Sequence, residues 1–302
     1  MKILFASTGE KPEVWLPLLK EALPRDELAV VPSKDVDVAL VALPPAGTFE
    51  KIGRPRLIQS LWMGVEKLLA DPTLPRGVPL ARTIDPGMVA AMSEMVLACV
   101  LDWHRNLYRY RMHQRAGSWQ RIGQRMAGDR TIGLLGLGEL GSDAARKLVA
   151  LGFNVAGWSR RPKNIPGAEC FTDLAEMLPK SDVVVCLLPL TRDTQGLLDG
   201  KTFAAMKRGG CVINLARGGH LVLKDLLDAL DSGALSHAYL DVFEREPLPA
   251  SDPLWRHPGV TLTPHIAALT EPRTALPRVV ANIERVRRGE APRDLVDFEA
   301  GY

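Results

Sequence analysis

Short β-branched apolar runs alternate along the chain with longer stretches in which apolar residues recur every three or four positions. That alternation predicts α/β architecture on parallel sheets. In the first hundred residues, strands are predicted at 2–6, 37–41, 57–59 and 79–82, with helical patterns at 14–23 and 64–69. A long helical pattern then runs from 88 to about 103, placing Met88, Met92, Met95 and Cys99 on one face. From 105 to 130 the chain is arginine-rich and carries Tyr108, Tyr110 and Trp119, and it reads as an arm between domains.

The pattern restarts at 131–135 with a strand, followed by a helix over 139–151 and a strand at 154–158. Further strands are predicted at 182–187, 211–214, 238–241 and 260–263. The final helical pattern, 271–289, is expected to pack back on the first domain rather than found a third. No fixed-period repeat is present, which argues against a solenoid.

Composition narrows the function classes. The 302 residues, 46% apolar, are enough for two cores. A net charge of +3, with no block of like charges, argues against nucleic-acid and membrane-surface partners. The apolar run at 183–190 is about half the roughly 18 residues of a spanning helix. The apolar residues 3–6 lead directly into Ser7-Thr8-Gly9-Glu10-Lys11, without the hydrophobic region of a secretory signal. Cys99, Cys170, Cys186 and Cys211 are far apart and mostly within apolar runs, so they read as reduced and buried. A cytoplasmic chain with neither disulfide frame nor metal site is expected.

Between the 131–135 strand and its helix lies Gly136-Leu137-Gly138-Glu139-Leu140-Gly141. In this context Gly136 makes the tight turn, Gly138 lets backbone approach a pyrophosphate and Gly141 permits close helix–strand packing. The helix start at Glu139 and Leu140 faces the phosphate charge. A dinucleotide site is expected here. At the end of the next strand, where an NAD site usually carries an acid, stand Trp158-Ser159-Arg160-Arg161 and then Lys163. A serine hydroxyl and guanidinium groups suit a 2′-phosphate, so NADP(H) is the favoured cofactor, with NAD(H) second.

Three later strand ends carry chemistry. Arg217 follows 211–214, Asp241, Glu244 and Glu246 follow 238–241, and His265 follows 260–263. Ligands of open α/β sheets bind at such ends. In the first domain Leu61-Trp62-Met63-Gly64-Val65 joins a strand to a helix, a geometry whose backbone N–H groups suit a carboxylate.

In order and spacing these segments resemble the D-isomer-specific 2-hydroxyacid dehydrogenase family over nearly the whole chain. The pair Ser159-Arg160, Leu254-Trp255-Arg256-His257-Pro258, Thr263-Pro264-His265 and the terminal Gly301-Tyr302 are most similar to a bacterial branch that reduces small 2-oxo acids. The resemblance implies two Rossmann-like/flavodoxin-like α/β domains, the cofactor domain inserted into the substrate domain. The substrate domain would take 1–99 and 270–302, and the NAD(P)-binding domain 100–269, with an arm at 104–130 forming a homodimer. It also implies NADPH-dependent reduction of glyoxylate to glycolate and hydroxypyruvate to D-glycerate. A bulkier 2-oxo acid, or a dinucleotide-sensing binding protein of the same fold, are the alternatives.

Carried over by position, Arg217 is the substrate arginine, Glu246 the glutamate before proline and His265 the acid/base. Histidine exchanges protons near neutral pH, a neighbouring glutamate orients it, and arginine grips a carboxylate while polarising the adjacent carbonyl. Asp241 is expected at the nicotinamide carboxamide, and Leu188 and Pro189 on the nicotinamide side. Met63 and Gly64 are expected to hold the substrate carboxylate, with Trp62 narrowing the pocket where family members often have a small residue. Glu244 is rejected as the partner glutamate, and His220 and His257 are expected to be ordinary loop residues.

Overall fold

A computed structural model describes residues 1–302. In chain order the elements begin with β1 (Lys2–Ser7), α1 (Pro12–Ala22), β2 (Glu27–Ala29), β3 (Val38–Ala42) and α2 (Thr48–Lys51). Next come β4 (Leu57–Ser60), α3 (Glu66–Leu69), β5 (Leu80–Ala81), α4 (Pro86–His104) and α5 (Leu107–Arg115). The chain continues through β6 (Thr131–Leu135), α6 (Glu139–Ala150), β7 (Asn154–Trp158), β8 (Ala168–Phe171), α7 (Leu174–Met177) and β9 (Val183–Cys186). It closes with α8 (Gly200–Ala205), β10 (Gly210–Asn214), α9 (Leu223–Asp231), β11 (Leu235–Leu240), β12 (Val260–Leu262) and α10 (Pro272–Arg287).

These elements form two compact units, one discontinuous (Met1–Met88 with Leu269–Tyr302) and one contiguous (Val89–Ala268). The first division falls earlier than the sequence pattern suggested, because Met92, Val96, Val100 and Trp103 of α4 lie in the core of the contiguous unit. By length and composition α4 is also a helix that could cross a bilayer. Ser93, Glu94 and Asp102 interrupt it, so it contains no unbroken apolar run of that length.

The discontinuous unit holds a parallel sheet in the order β2-β1-β3-β4-β5, the flavodoxin-like winding. Strands β1, β3 and β4 are buried on both faces: Ile3, Val38 and Leu57 enter one core, and Leu4, Ala39 and Ile58 the other. Ala275, Val279, Ile283 and Val286 recur at helical spacing on α10 and pack with Trp15 and Leu19 of α1 in the first of these cores. The buried Asn282 donates from Nδ2 to Gln59 Oε1 of β4 at 2.8 Å, so a polar contact as well as burial fixes the helix there.

The contiguous unit holds a seven-stranded parallel sheet, β12-β11-β10-β9-β6-β7-β8, a doubly wound Rossmann order whose direction of winding reverses between β6 and β9. Alternation again builds two cores: Ile132, Val183, Cys211 and Ile213 face one layer, while Leu135, Val184, Cys186 and Val212 face the other. Burial of each such branched side chain is worth about 1.5–3 kcal/mol. All four cysteines are free thiols, and Cys170, on the edge strand β8, is only half-buried, unlike the other three.

Candidate active site

The glycine loop sits at the reversal of winding in the contiguous unit, where a doubly wound sheet opens a crevice. Gly136 has φ +102°, a left-handed conformation that L side chains rarely adopt, and its N–H donates to Trp158 O at 3.0 Å. A Cβ on Gly141 would overlap the Gly136 carbonyl oxygen, so the return of α6 against the loop depends on glycine there. Gly138 differs from both, because a Cβ there would meet nothing within 4 Å. It is the N-cap of α6, with no capping side chain, so the first-turn N–H groups at Glu139 and Leu140 receive no side-chain acceptor. An open backbone before an uncapped helix start is a fitting cradle for a pyrophosphate.

At the end of β7, Arg160 and Arg161 are exposed and no acidic residue follows the strand directly. The Ser159 hydroxyl donates to Arg161 O at 2.7 Å. Ser159 thereby shapes the turn and stands beside guanidinium groups suited to a phosphate.

Beyond β9, Leu188 and Pro189 are half-buried. Thr194 Oγ1 donates to Pro189 O at 2.8 Å and receives the Thr191 N–H at the same distance, which closes this loop on itself. Beyond β10, Arg217 is extended (φ −144°, ψ 149°) and half-buried, and its Nη1 donates to Ala216 O at 2.7 Å. Its carbonyl accepts from Asn214 Nδ2 at 3.0 Å. His220, expected in an ordinary loop, is instead wholly buried, with ring nitrogens 3.1 Å from Arg217 O and 3.3 Å from Pro189 O. It bridges the arginine turn and the proline loop. A histidine in a glycine-flanked turn gave no sequence signal of burial.

Beyond β11 and β12 the remaining groups meet. His265 Nδ1 lies 2.8 Å from Glu246 Oε2, and Glu246 Oε1 accepts the Phe243 N–H at 2.9 Å. Both side chains are partly exposed, 48% and 36%, so the pair is open to a ligand. His265 has φ 55°, and its N–H donates to Asp241 O at 2.8 Å. Asp241, expected to face the nicotinamide, is wholly buried, and its oxygens accept from Thr263 Oγ1 (2.6 Å), Ile266 N (2.9 Å) and Ala267 N (2.9 Å). The visible work of this carboxylate is to hold the turn that presents His265. Glu244 has no such contact with the histidine, and His257 stands apart, its Nε2 3.4 Å from Asp231.

In the discontinuous unit, Trp62, Met63 and Gly64 follow β4 and are half-buried. The N–H groups of Met63 and Gly64 make no hydrogen bond within the protein, as a carboxylate-binding loop requires. Trp62 is tied down on all sides by Ser60, Thr83 and, through its indole, Glu10. Glu10 carried no motif, and only the fold brings it to the tryptophan.

A glycine turn after β6 and an oriented histidine after β12, carried by one parallel sheet, are the arrangement of a nucleotide-dependent oxidoreductase. Residues 97–267 match the family model described as D-isomer specific 2-hydroxyacid dehydrogenase, NAD binding domain. Over the full length of both chains, the protein is 42% identical to glyoxylate/hydroxypyruvate reductase A of Serratia proteamaculans. It is 38% identical to the protein of the same name from Yersinia enterocolitica, again over both full lengths. Among solved structures, a D-isomer specific 2-hydroxyacid dehydrogenase from Xanthobacter autotrophicus Py2, in complex with NADPH and MES, superposes with TM-score 0.96 at 39% identity, covering 100% of this chain and 99% of that one. The NADPH-dependent glyoxylate/hydroxypyruvate reductase of Sinorhizobium meliloti, in complex with NADP and sulfate, gives 0.94 at 36% identity over the same shares. The chain belongs to the D-isomer specific 2-hydroxyacid dehydrogenase family and is an NAD(P)-dependent dehydrogenase.

Proposed function

We propose that the protein reduces small 2-oxo acids with NADPH, converting glyoxylate to glycolate and hydroxypyruvate to D-glycerate. The observation that carries this reading is the His265–Glu246 pair, presented in the same unit as the glycine loop. The names of the full-length relatives support the substrates, and the arginines after β7 support the choice of NADPH. The pyrophosphate is assigned to the Gly138 backbone and the start of α6, and the 2′-phosphate to Arg160 and Arg161. Leu188 and Pro189 are assigned to the nicotinamide side.

NADPH held at these residues would supply the hydride for the substrate carbonyl carbon. The protein supplies the rest. With Nδ1 held by Glu246, Nε2 of His265 is the atom assigned to protonate the carbonyl oxygen as it gains charge. Arg217 offers a planar fork suited to a carboxylate and its adjacent carbonyl. Within the discontinuous unit, the 61–65 loop, with the N–H groups of Met63 and Gly64, is assigned to the substrate carboxylate. Asp241 and His220 act at one remove, fixing the turns that carry His265 and Arg217.

The contiguous unit is accordingly the cofactor domain and the discontinuous unit the substrate domain. The reading extends to a cytoplasmic homodimer, supported by free thiols and by the arm. None of the side chains of α5 is buried, and Leu107, Met112, Trp119 and Met126 are exposed apolar residues along the arm. A second copy is the partner that would cover them.

The test is loss of NADPH absorbance with glyoxylate, hydroxypyruvate, pyruvate and phenylpyruvate, repeated with NADH. Fastest turnover of the first two with NADPH is expected. No oxidation of either cofactor by any of the four would sink the proposal.

A further inference from the structure

Two indoles converge on one carboxylate at the start of the discontinuous unit. Trp62 Nε1 donates to Glu10 Oε1 at 2.7 Å, and Trp15 Nε1 donates to Glu10 Oε2 at 2.9 Å. Each oxygen serves one ring. Trp15 is wholly buried in the core beneath α10 and anchors the glutamate, while Trp62 is only half-buried and is anchored by it. The turn bearing Glu10 is itself pinned: Ser7 Oγ accepts the N–H groups of Gly9 (3.1 Å) and Glu10 (2.6 Å) and donates to Ala42 O at 2.8 Å.

Gly9 completes the arrangement, because a Cβ there would overlap Cζ2 and Cη2 of Trp62. The edge of the indole that carries Cζ2 and Cη2 therefore packs directly on the Gly9 backbone. Its own main chain is fixed by Ser60 Oγ, 3.1 Å from Trp62 N and 2.9 Å from Trp62 O, and by the Thr83 N–H at 3.2 Å. Packing alone does not demand this, since a half-buried tryptophan needs only one partner for its N–H. A charge-assisted bond to an acceptor that is itself tethered to the core gives the ring a single orientation.

We propose that Glu10 is a positioning residue that sets substrate size: it holds the Trp62 indole as a rigid wall at the loop assigned to the substrate carboxylate. The proposal rests on that assignment of the 61–65 loop. A wall that cannot swing aside rejects 2-oxo acids with branched or aromatic side chains, while a two- or three-carbon substrate never meets it.

The experiment compares kcat/KM for glyoxylate and phenylpyruvate, with NADPH, in the wild type and in Glu10→Ala, Glu10→Gln, Gly9→Ala and Trp62→Ala. Glu10→Ala is expected to lower the preference for glyoxylate about tenfold, mainly through KM. Glu10→Gln, which keeps one carbonyl acceptor, should recover most of it. Gly9→Ala should loosen the preference in the same direction by lifting the ring while leaving the carboxylate in place. Of the six tryptophan indole N–H resonances, two should move in Glu10→Ala, a change that does not depend on turnover. If Trp62→Ala alters the preference but Glu10→Ala and Gly9→Ala do not, the loop assignment stands and the role of Glu10 is overturned. If Trp62→Ala itself leaves the preference intact, the assignment of the loop is what fails, and the proposal with it. Should Glu10→Ala not fold, Gly9→Ala and Glu10→Gln carry the same decision.

Discussion

His265 Nδ1 and Glu246 Oε2 are 2.8 Å apart, which commits one edge of the imidazole to the protein and leaves Nε2 as the atom proposed to donate the proton. Replacing His265 with alanine removes the proton donor without disturbing the glycine loop. We expect kcat to fall by about 10²–10⁴-fold with the NADPH dissociation constant within about twofold of wild type, measured by nucleotide fluorescence. A parallel loss of NADPH affinity would show that the histidine serves the cofactor instead.

Arg160 stands where an acid would select NADH. Arg160→Ala should weaken NADPH by about 10–100-fold, the worth of a charge-assisted hydrogen bond, and leave NADH nearly untouched. Titration of both nucleotides against the variant settles it. Equal weakening of the two would place the 2′-phosphate elsewhere.

The glycines of the loop should separate by function. Gly141→Ala drives a methyl group into the Gly136 carbonyl and should destabilise the protein by about 1–3 kcal/mol. Gly138→Ala meets open space, so its melting temperature should hold while NADPH binding is lost. Calorimetry paired with nucleotide binding distinguishes the two. A Gly138 variant that melts early would mean the space in front of it is occupied by the protein's own backbone.

His237 supplies a pH signature. It is buried between the rings of Tyr108 and Tyr239, with Nε2 2.8 Å from Thr261 Oγ1, and burial pushes its pKa down to about 4 from an ordinary 6.5. The unfolded chain takes up this proton near 6.5 and the folded chain only near 4. Stability contributed by the neutral ring is therefore complete above about 6.5 and declines as pH falls toward 4, by on the order of 3 kcal/mol. Denaturant midpoints of His237→Gln should fall less over that interval than those of the wild type. Identical slopes would show that the ring is protonated in the fold.

Legibility in the sequence followed burial. The central strands β6, β9 and β10 are apolar on both faces and could be read directly, as could the glycine turn, whose spacing is itself the mechanism. The edge strands β2 and β8 escaped notice because solvent on one side lets residues such as Glu27 and Glu169 interrupt the apolar run. Arg217, Glu246 and His265 were visible because each follows a strand. His220, Glu10 and the inward-turned Asp241 take their roles from partners distant along the chain, and no local pattern encodes such a partner.

The insertion of one unit within the other has a consequence for how the chain is made. Residues 89–268 form a continuous stretch and can fold as soon as they are synthesised, whereas the core around Trp15 and Leu19 is closed by Ala275, Val279 and Ile283, which are made after them. During synthesis β1, β3 and β4 must therefore keep an apolar face uncovered until the whole inserted unit and then α10 have been made.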